Sequence, residues 1–256
     1  MRLLLLIAAL ALLAPMLAPY DPLRTDPAVQ LQPPGAAHAL GTDLLGRDVF
    51  SRLLFGAQRT LLLAVLATTI AVLPGALIGL GAGSASPNLD RLIGVLIDAV
   101  LAFPGLMLAL VVVTLLGSSA ESVALATGIS QLAPVARVVR AATISVRGEP
   151  FIEAAAGLGA GSAHVISRHL LPNIAPTLLV YTGVVCSYSI LNNAALSFLG
   201  LGGVPGAPDW GVMLSEGRQA FRVAPWIALA PGVAITATII MLNRAVDQLD
   251  RVLSRR

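Results

Sequence analysis

Apolar runs of near-membrane length, separated by short polar stretches, set the pattern of this chain. The first spans Leu3 to about Pro19, after Arg2. Others follow at 61–83, 92–117, 122–136, 174–200 and 223–243, and Asp98 is the one carboxylate inside them. One crossing of the hydrocarbon takes about 20 apolar residues, so the pattern predicts an all-α integral membrane unit of about six transmembrane helices.

The first run ends in Ala18-Pro19-Tyr20-Asp21-Pro22 and reads either as a signal peptide or as a first transmembrane helix. Its weak single-charge start and the proline after Ala18 disfavour cleavage, so a retained helix is expected. Being short, that helix would stand nearly upright or thin the bilayer locally. From Tyr20 to about Thr60 the chain is polar and begins with Pro22, Pro27, Pro33 and Pro34. A loop followed by a short surface helix is expected there. In the second run Ala71, Gly75, Gly79 and Gly83 recur every fourth residue. That spacing bares one helix face for close backbone packing. Pro74 removes a backbone donor in the same run and is a candidate kink.

Composition sharpens the picture. Of the 256 residues 57% are apolar and 11% charged, against roughly 25% charged in a soluble domain. Six crossings use about 120 residues and leave no room for a large soluble domain. All 16 basic residues are arginine. Without lysine there is no P-loop and no lysine Schiff base, so any nucleotide that drives the protein is bound by another chain. Cys186 is alone, which excludes an intrachain disulfide. A formal net charge of +3 is accounted for by arginines flanking membrane helices, and no nucleic-acid partner is expected. With an interior amino terminus, ten arginines fall on the cytoplasmic side and six outside. The positive-inside rule then places both termini in the cytoplasm.

The long inner stretch from about Arg140 to Asn173 is amphipathic. Pro150 suits the first position of a helix, on which Phe151, Ala155 and Leu158 share a face. Gly157, Gly159 and Gly161 break it, and Ser162 is a candidate cap for a second short helix that Pro172 stops. The resulting helix-turn-helix exposes Glu153-Ala154-Ala155 beside an apolar stripe. Such a stripe reads as a surface for a partner or as a hairpin lying on the membrane interface.

These residues carry a resemblance. Glu153-Ala154-Ala155, Gly159 six positions after the glutamate, and Leu171-Pro172 resemble the EAA loop of permease subunits in binding-protein-dependent ABC importers. His169 stands where that family has an isoleucine. The segment from Leu40 through Gly46-Arg47-Asp48 to Ser51-Arg52 is similar to one in dipeptide, oligopeptide and nickel permeases. Leu196-Ser197-Phe198-Leu199-Gly200-Leu201-Gly202, followed by Pro208-Asp209-Trp210-Gly211, resembles their signature after the fifth helix. The chain departs from the pattern at the Ser84-to-Asn88 turn, at Asn192-Asn193, where the peptide branch often has a glutamate, and in its tail after Asn243.

The resemblance implies a type I importer (MetI-like) transmembrane domain with cytoplasmic coupling helices. Residues 1–58 would supply a transmembrane helix and an extracytoplasmic segment, and 59–250 the core, with the EAA loop at about 149–173. It implies coupling through Glu153, Ala154, Ala155, Gly159, His169, Leu171 and Pro172 to separate cytoplasmic ATPase subunits that hold ATP and magnesium, with no cofactor on this chain. It further implies a second homologous permease, an extracytoplasmic solute-binding protein, and a place in a prokaryotic inner membrane. Short peptides are the expected cargo, with nickel or a metal chelate as the alternative.

From the residues themselves, Asp98 is either a structural carboxylate near an interface or part of a translocation path. Asn192, Asn193 and Ser197 are further pathway candidates, since polar groups in a span face another helix or water. His164 and His169 lie five apart without supporting ligands, so no metal site is expected. No Gly-x-Ser-x-Gly elbow or triad is visible, and catalysis by this chain is not expected. A secondary transporter or channel working without ATP is the rival class.

Overall fold

The computed structural model describes residues 13–202 and 205–253. The expected first transmembrane helix therefore lies mostly outside the described residues; α1 covers Ala14–Leu17. Next come α2 (Val49–Ser84), α3 (Pro87–Leu101), α4 (Gly105–Leu116) and α5 (Ala120–Arg147). A hairpin of α6 (Pro150–Gly157) and α7 (Ser162–Val165) precedes α8 (Leu171–Phe198), α9 (Trp210–Ala220) and α10 (Trp226–Leu253). Among the described residues four helical stretches are long and apolar enough to cross a membrane: Val49–Ser84, Ala120–Arg147, Ser162–Phe198 and Trp226–Leu253.

The run at 92–117 is two helices rather than one, bent by 84°. Pro104 is the cause. It has no N–H, and it pushes the residue before it out of the helical region. The polar segment before Thr60 differs as well, because its surface helix is the start of α2, which runs unbroken for 36 residues, about 54 Å. Asp48 starts it by accepting a hydrogen bond from the Ser51 amide at 2.7 Å. The chain between the last two spans forms α9, a helix that lies outside the apolar runs.

Pro172 does not end a helix either. It stands in the first turn of α8, where a missing N–H is harmless. The preceding turn, Ile166–Leu170, has π geometry, and the helix runs on through it. Ser162 to Phe198 is consequently one continuous rod.

Helix α5 is the hub. The small-residue stripe of α2 lies against it: a Cβ placed on Gly79 would sit 2.5 Å from Ala136 O, and one on Gly75 2.8 Å from Val135. On its other sides α5 packs Ala133 and Ala136 on Ile97 of α3, and Val123 and Ala126 on Ala109 and Val113 of α4. At the hairpin end, Arg140 reaches across Gly94 to grip Asp90 through Nε (2.5 Å) and Nη2 (2.8 Å). Arg147 Nη1 donates to the carbonyls of Gly83 (3.2 Å) and Ala85 (2.8 Å), closing the end of α2 that would otherwise leave carbonyls unpaired.

The opposite end is a platform built around a neutral ionic knot. Asp43 Oδ2 accepts from Arg47 Nε at 2.7 Å and from Arg52 Nη1, while Glu216 Oε2 of α9 accepts from Arg47 Nη2 (3.0 Å) and Arg52 Nη1 (2.7 Å). Both arginines also donate to Gly206 O at 3.2 Å. Two cations and two anions leave no net charge, which makes their burial tolerable. Indole donors finish the join: Trp210 Nε1 to Leu53 O (3.0 Å) and Trp226 Nε1 to Thr42 O (3.1 Å). Asp209 caps α9 by accepting from the amides of Gly211 and Val212. Burial pushes its carboxyl above the usual carboxylate range, opposed by those two amides.

Two outcomes follow from this packing. Gly79→Val overfills the α2–α5 contact and costs about 1–3 kcal/mol or more, whereas Gly81→Val, with no atom near its added Cβ, leaves thermal unfolding in detergent unchanged. Asp43→Asn leaves two buried guanidinium groups to share the single carboxylate of Glu216 and costs about 3–5 kcal/mol. Glu216→Gln costs visibly less in the same assay, because Glu216 keeps 22% of its side chain in contact with solvent. Equal losses at the two carboxylates would contradict this account of the knot.

Candidate coupling site at the hairpin

The hairpin leaves α5 at Gly148 and turns on Gly159. There φ is +85°, a conformation side-chain-bearing residues adopt at a cost. The Ala160 amide donates back to Ala155 O at 3.1 Å, so the six-to-one bond of a Schellman motif closes α6. Sequence reasoning placed breaks at Gly157, Gly159 and Gly161; the left-handed residue that makes the turn is Gly159.

Two apolar anchors hold the hairpin to the bundle. Ile152 and Leu170 are buried, at 6% and 2% exposure. Together with Ser84 and Arg147 they line a small cleft under the hairpin. Since Arg147 also grips the end of α2 and α7 continues into α8, the hairpin is fixed to the ends of α2, α5 and α8 at once.

Its outer side is a concave surface of about 620 Å³ lined by Phe151, Ala154, Ala155, Leu158 and Gly159, the next two residues, and His164 and His169. Leu158 is 90% exposed. The ring of His169 stands 6.1 Å from that of Phe151 and 5.8 Å, edge on, from that of His164. Small residues, one protruding leucine and a cluster of tilted rings make a surface suited to receiving another protein's side chains. Nothing here resembles a metal centre; no group of three His, Cys, Asp or Glu side chains fit for one occurs among the described residues.

The groove gathers Ala154, Ala155, Gly159 and His169 from the sequence-predicted set. Glu153 is exposed but outside that lining, and Leu171 and Pro172 are exposed at the start of α8. His164 joins the groove, a role its spacing from His169 did not suggest. The pathway candidates do not converge. Asp98 is 63% exposed and 3.6 Å from Arg137 Nη2, near the hairpin end of α5. Asn193 is 2% exposed, and neither amide atom has a hydrogen-bond partner. Ser197, equally buried, packs under Gly202 and Gly211 at the platform. Asn192 is half-buried. The platform knot was missed as a unit. Its signal was Asp43 and Arg47 four apart in a Gly46 turn, but Glu216 is 164 positions from Arg52, a pairing no local pattern shows.

Comparison with known proteins gives the geometry a context. Residues 75–256 match the family described as binding-protein-dependent transport system inner membrane component, and residues 1–34 match the N-terminal transmembrane domain of oligopeptide transport permease C. The chain is 38% identical over 240 residues to a dipeptide transport system permease protein of Alkalihalophilus pseudofirmus, covering 94% of this chain and 79% of that one. It is 37% identical over 246 residues to a glutathione transport system permease protein of Pectobacterium atrosepticum, covering 96% and 82%. A solved structure of the inward-facing MetNI methionine ABC transporter superposes with a TM-score of 0.66 at 17% identity, over 79% of this chain and 96% of that one. The fold is that of a type I importer permease. By its sequence over more than half its length, this chain belongs to the family of binding-protein-dependent transport system inner membrane components.

Proposed function

We propose that the chain is the non-catalytic permease subunit of an ATP-driven importer that brings short peptides across the inner membrane of a prokaryote. Relatives named for dipeptide and for glutathione transport support this cargo class, since both substrates carry peptide bonds. The hairpin end faces the cytoplasm in this reading, and both termini lie there, as the arginine distribution favours. An ABC ATPase subunit seats against the groove around Leu158. A second, homologous permease completes the pore, and a solute-binding protein delivers cargo to the platform end.

One observation carries the proposal: an exposed apolar surface rests on a hairpin rigidly joined to the ends of three long helices. When two ATPase domains close on ATP, the hairpin moves as a lever and the joined helices re-aim the path between inward and outward states. Such a cycle requires only that each nucleotide state binds one conformation better than the other.

Gly159→Val forces a β-branched residue into left-handed backbone, with about 1–3 kcal/mol of strain. Peptide uptake and peptide-stimulated ATP hydrolysis are expected to be lost while membrane abundance stays at the parent level. Gly157→Ala, at a helical position with open space, keeps both. Uptake by Gly159→Val at the parent rate would contradict the assignment. A photocrosslinking amino acid at Leu158 in the assembled transporter is expected to capture the ATPase subunit, and consistent capture of lipid alone would place the hairpin on the membrane surface instead.

A further inference from the structure

A second groove lies between α8 and α10, lined by Val184, Ser187, Tyr188 and Leu191 on one helix and Ile239 and Asn243 on the other. We infer that it is a subsite of the transport path that receives one side chain and the adjoining amide of a passing peptide. This inference rests on the peptide-importer reading above and names a place in this chain where the cargo is held.

Depth is the first argument. The stretch 174–198 contains no charged residue, and Tyr188 lies ten positions before its platform end, about 15 Å at 1.5 Å per residue. It is about 21 Å from the other end on the same rise. Tyrosines that anchor helices to bilayers sit at the interfaces, and Tyr188 is too deep in its helix for that. Its side chain is nevertheless 56% exposed, and its hydroxyl has no hydrogen-bond partner among the described residues. Ser187 Oγ donates to Asn243 Oδ1 at 2.8 Å, which leaves the Asn243 amide nitrogen free on an exposed residue. Asn243 closes the apolar run 223–243 beside Arg244, where interfacial water satisfies its amide. The Tyr188 hydroxyl is mid-helix, and facing hydrocarbon unpaired it would cost several kcal/mol, so at its level this face looks onto water or onto polar cargo.

Chemistry selects the occupant. Val184, Leu191 and Ile239 form an apolar wall, while the Asn243 amide nitrogen offers donors and the Tyr188 hydroxyl a donor and an acceptor. That combination fits an apolar or aromatic side chain attached to a peptide bond. None of the six lining residues is a carboxylate, histidine or cysteine, so a bare nickel-type ion finds no strong ligand there. The groove measures about 260 Å³, below the roughly 300–1,000 Å³ of pockets that enclose a whole small ligand, hence one side chain at a time. The larger groove between α9 and α10 is lined almost entirely by apolar residues such as Phe221, Leu229 and Val233 and carries no such argument, because lipid tails satisfy it.

The test uses the complete transporter, with both permease chains, the ATPase and the binding protein, in proteoliposomes. Competing uptake of alanylalanine and phenylalanylphenylalanine is measured for the parent, Leu191→Trp and Tyr188→Phe. Leu191→Trp fills the groove and is expected to depress uptake of the aromatic peptide about tenfold more than that of alanylalanine, the scale on which apolar pockets discriminate. Tyr188→Phe raises KM for both peptides. In a Cys186→Ser background, a cysteine placed at Tyr188 is expected to react with a membrane-impermeant thiol reagent and to be shielded by either peptide. An unchanged peptide ratio in a variant that assembles and hydrolyses ATP like the parent, or an unreactive thiol, overturns the subsite and leaves the face to lipid or to the second permease. Failure of the parent to import either peptide overturns the peptide reading itself, and the subsite falls with it.

Discussion

Contact between two backbones along α2 and α5 fixes the rest of the molecule. At Gly75, Gly79 and Gly83 the helices approach so closely that a single methyl group would collide with a carbonyl or a β-branched side chain. In a bilayer there is little hydrophobic gain from pressing two apolar helices together, and such packing supplies the cohesion. Helices α9 and α10 are placed chiefly by α8 and by each other, and the other helices by what they touch on this pair. Helices α3 and α4 lie on α5, α8 lies on both, and the hairpin begins where α5 ends.

The two ends of the bundle are built on opposite principles. The platform is almost saturated: its carboxylates, guanidinium groups and indole N–H groups find partners inside the fold, with Arg52 Nε the exception, and charge cancels within a few ångströms. Removing one member leaves a buried charge, which makes the assembly rigid. The hairpin end holds its apolar anchors inside and leaves Leu158, Phe151 and the histidines outward. In the proposed reading, cargo arrives at one end and force at the other, and the chemistry of the two ends divides along that line.

Much of this was legible in the sequence because it depends on local rules. The four-residue repeat of small side chains predicts a close helix contact, and the structure supplies one. Pro150, Phe151, Ala155 and Leu158 predict the first hairpin helix and its face. The failures share a cause. Pro172 reads as a stop, yet a proline in a first turn preceded by a π turn is no obstacle. Pro104, unremarked within an apolar run, bends its span by 84°. Helix α9 is too short and too mixed in polarity to announce itself, and the knot that locks it down joins residues far apart in sequence. Periodicity sees faces, and it does not see which distant face arrives opposite.

Continuity from Ser162 to Phe198 joins the two proposals mechanically. A helix is stiff along its axis, and the π turn at Ile166–Leu170 keeps it unbroken where a proline would otherwise cut it. Displacement of the hairpin is therefore carried along α8 toward Tyr188, about 39 Å from Ser162 at 1.5 Å per residue. Anchoring at the far end opposes translation of the whole rod, because Ser197 is enclosed beneath α9. A rod driven at one end and held at the other tilts, and tilt changes the spacing between α8 and α10 where the groove lies. In the proposed cycle, the contact that a nucleotide-driven partner makes with Leu158 thus opens or closes the place where a peptide side chain rests, with no separate relay between them.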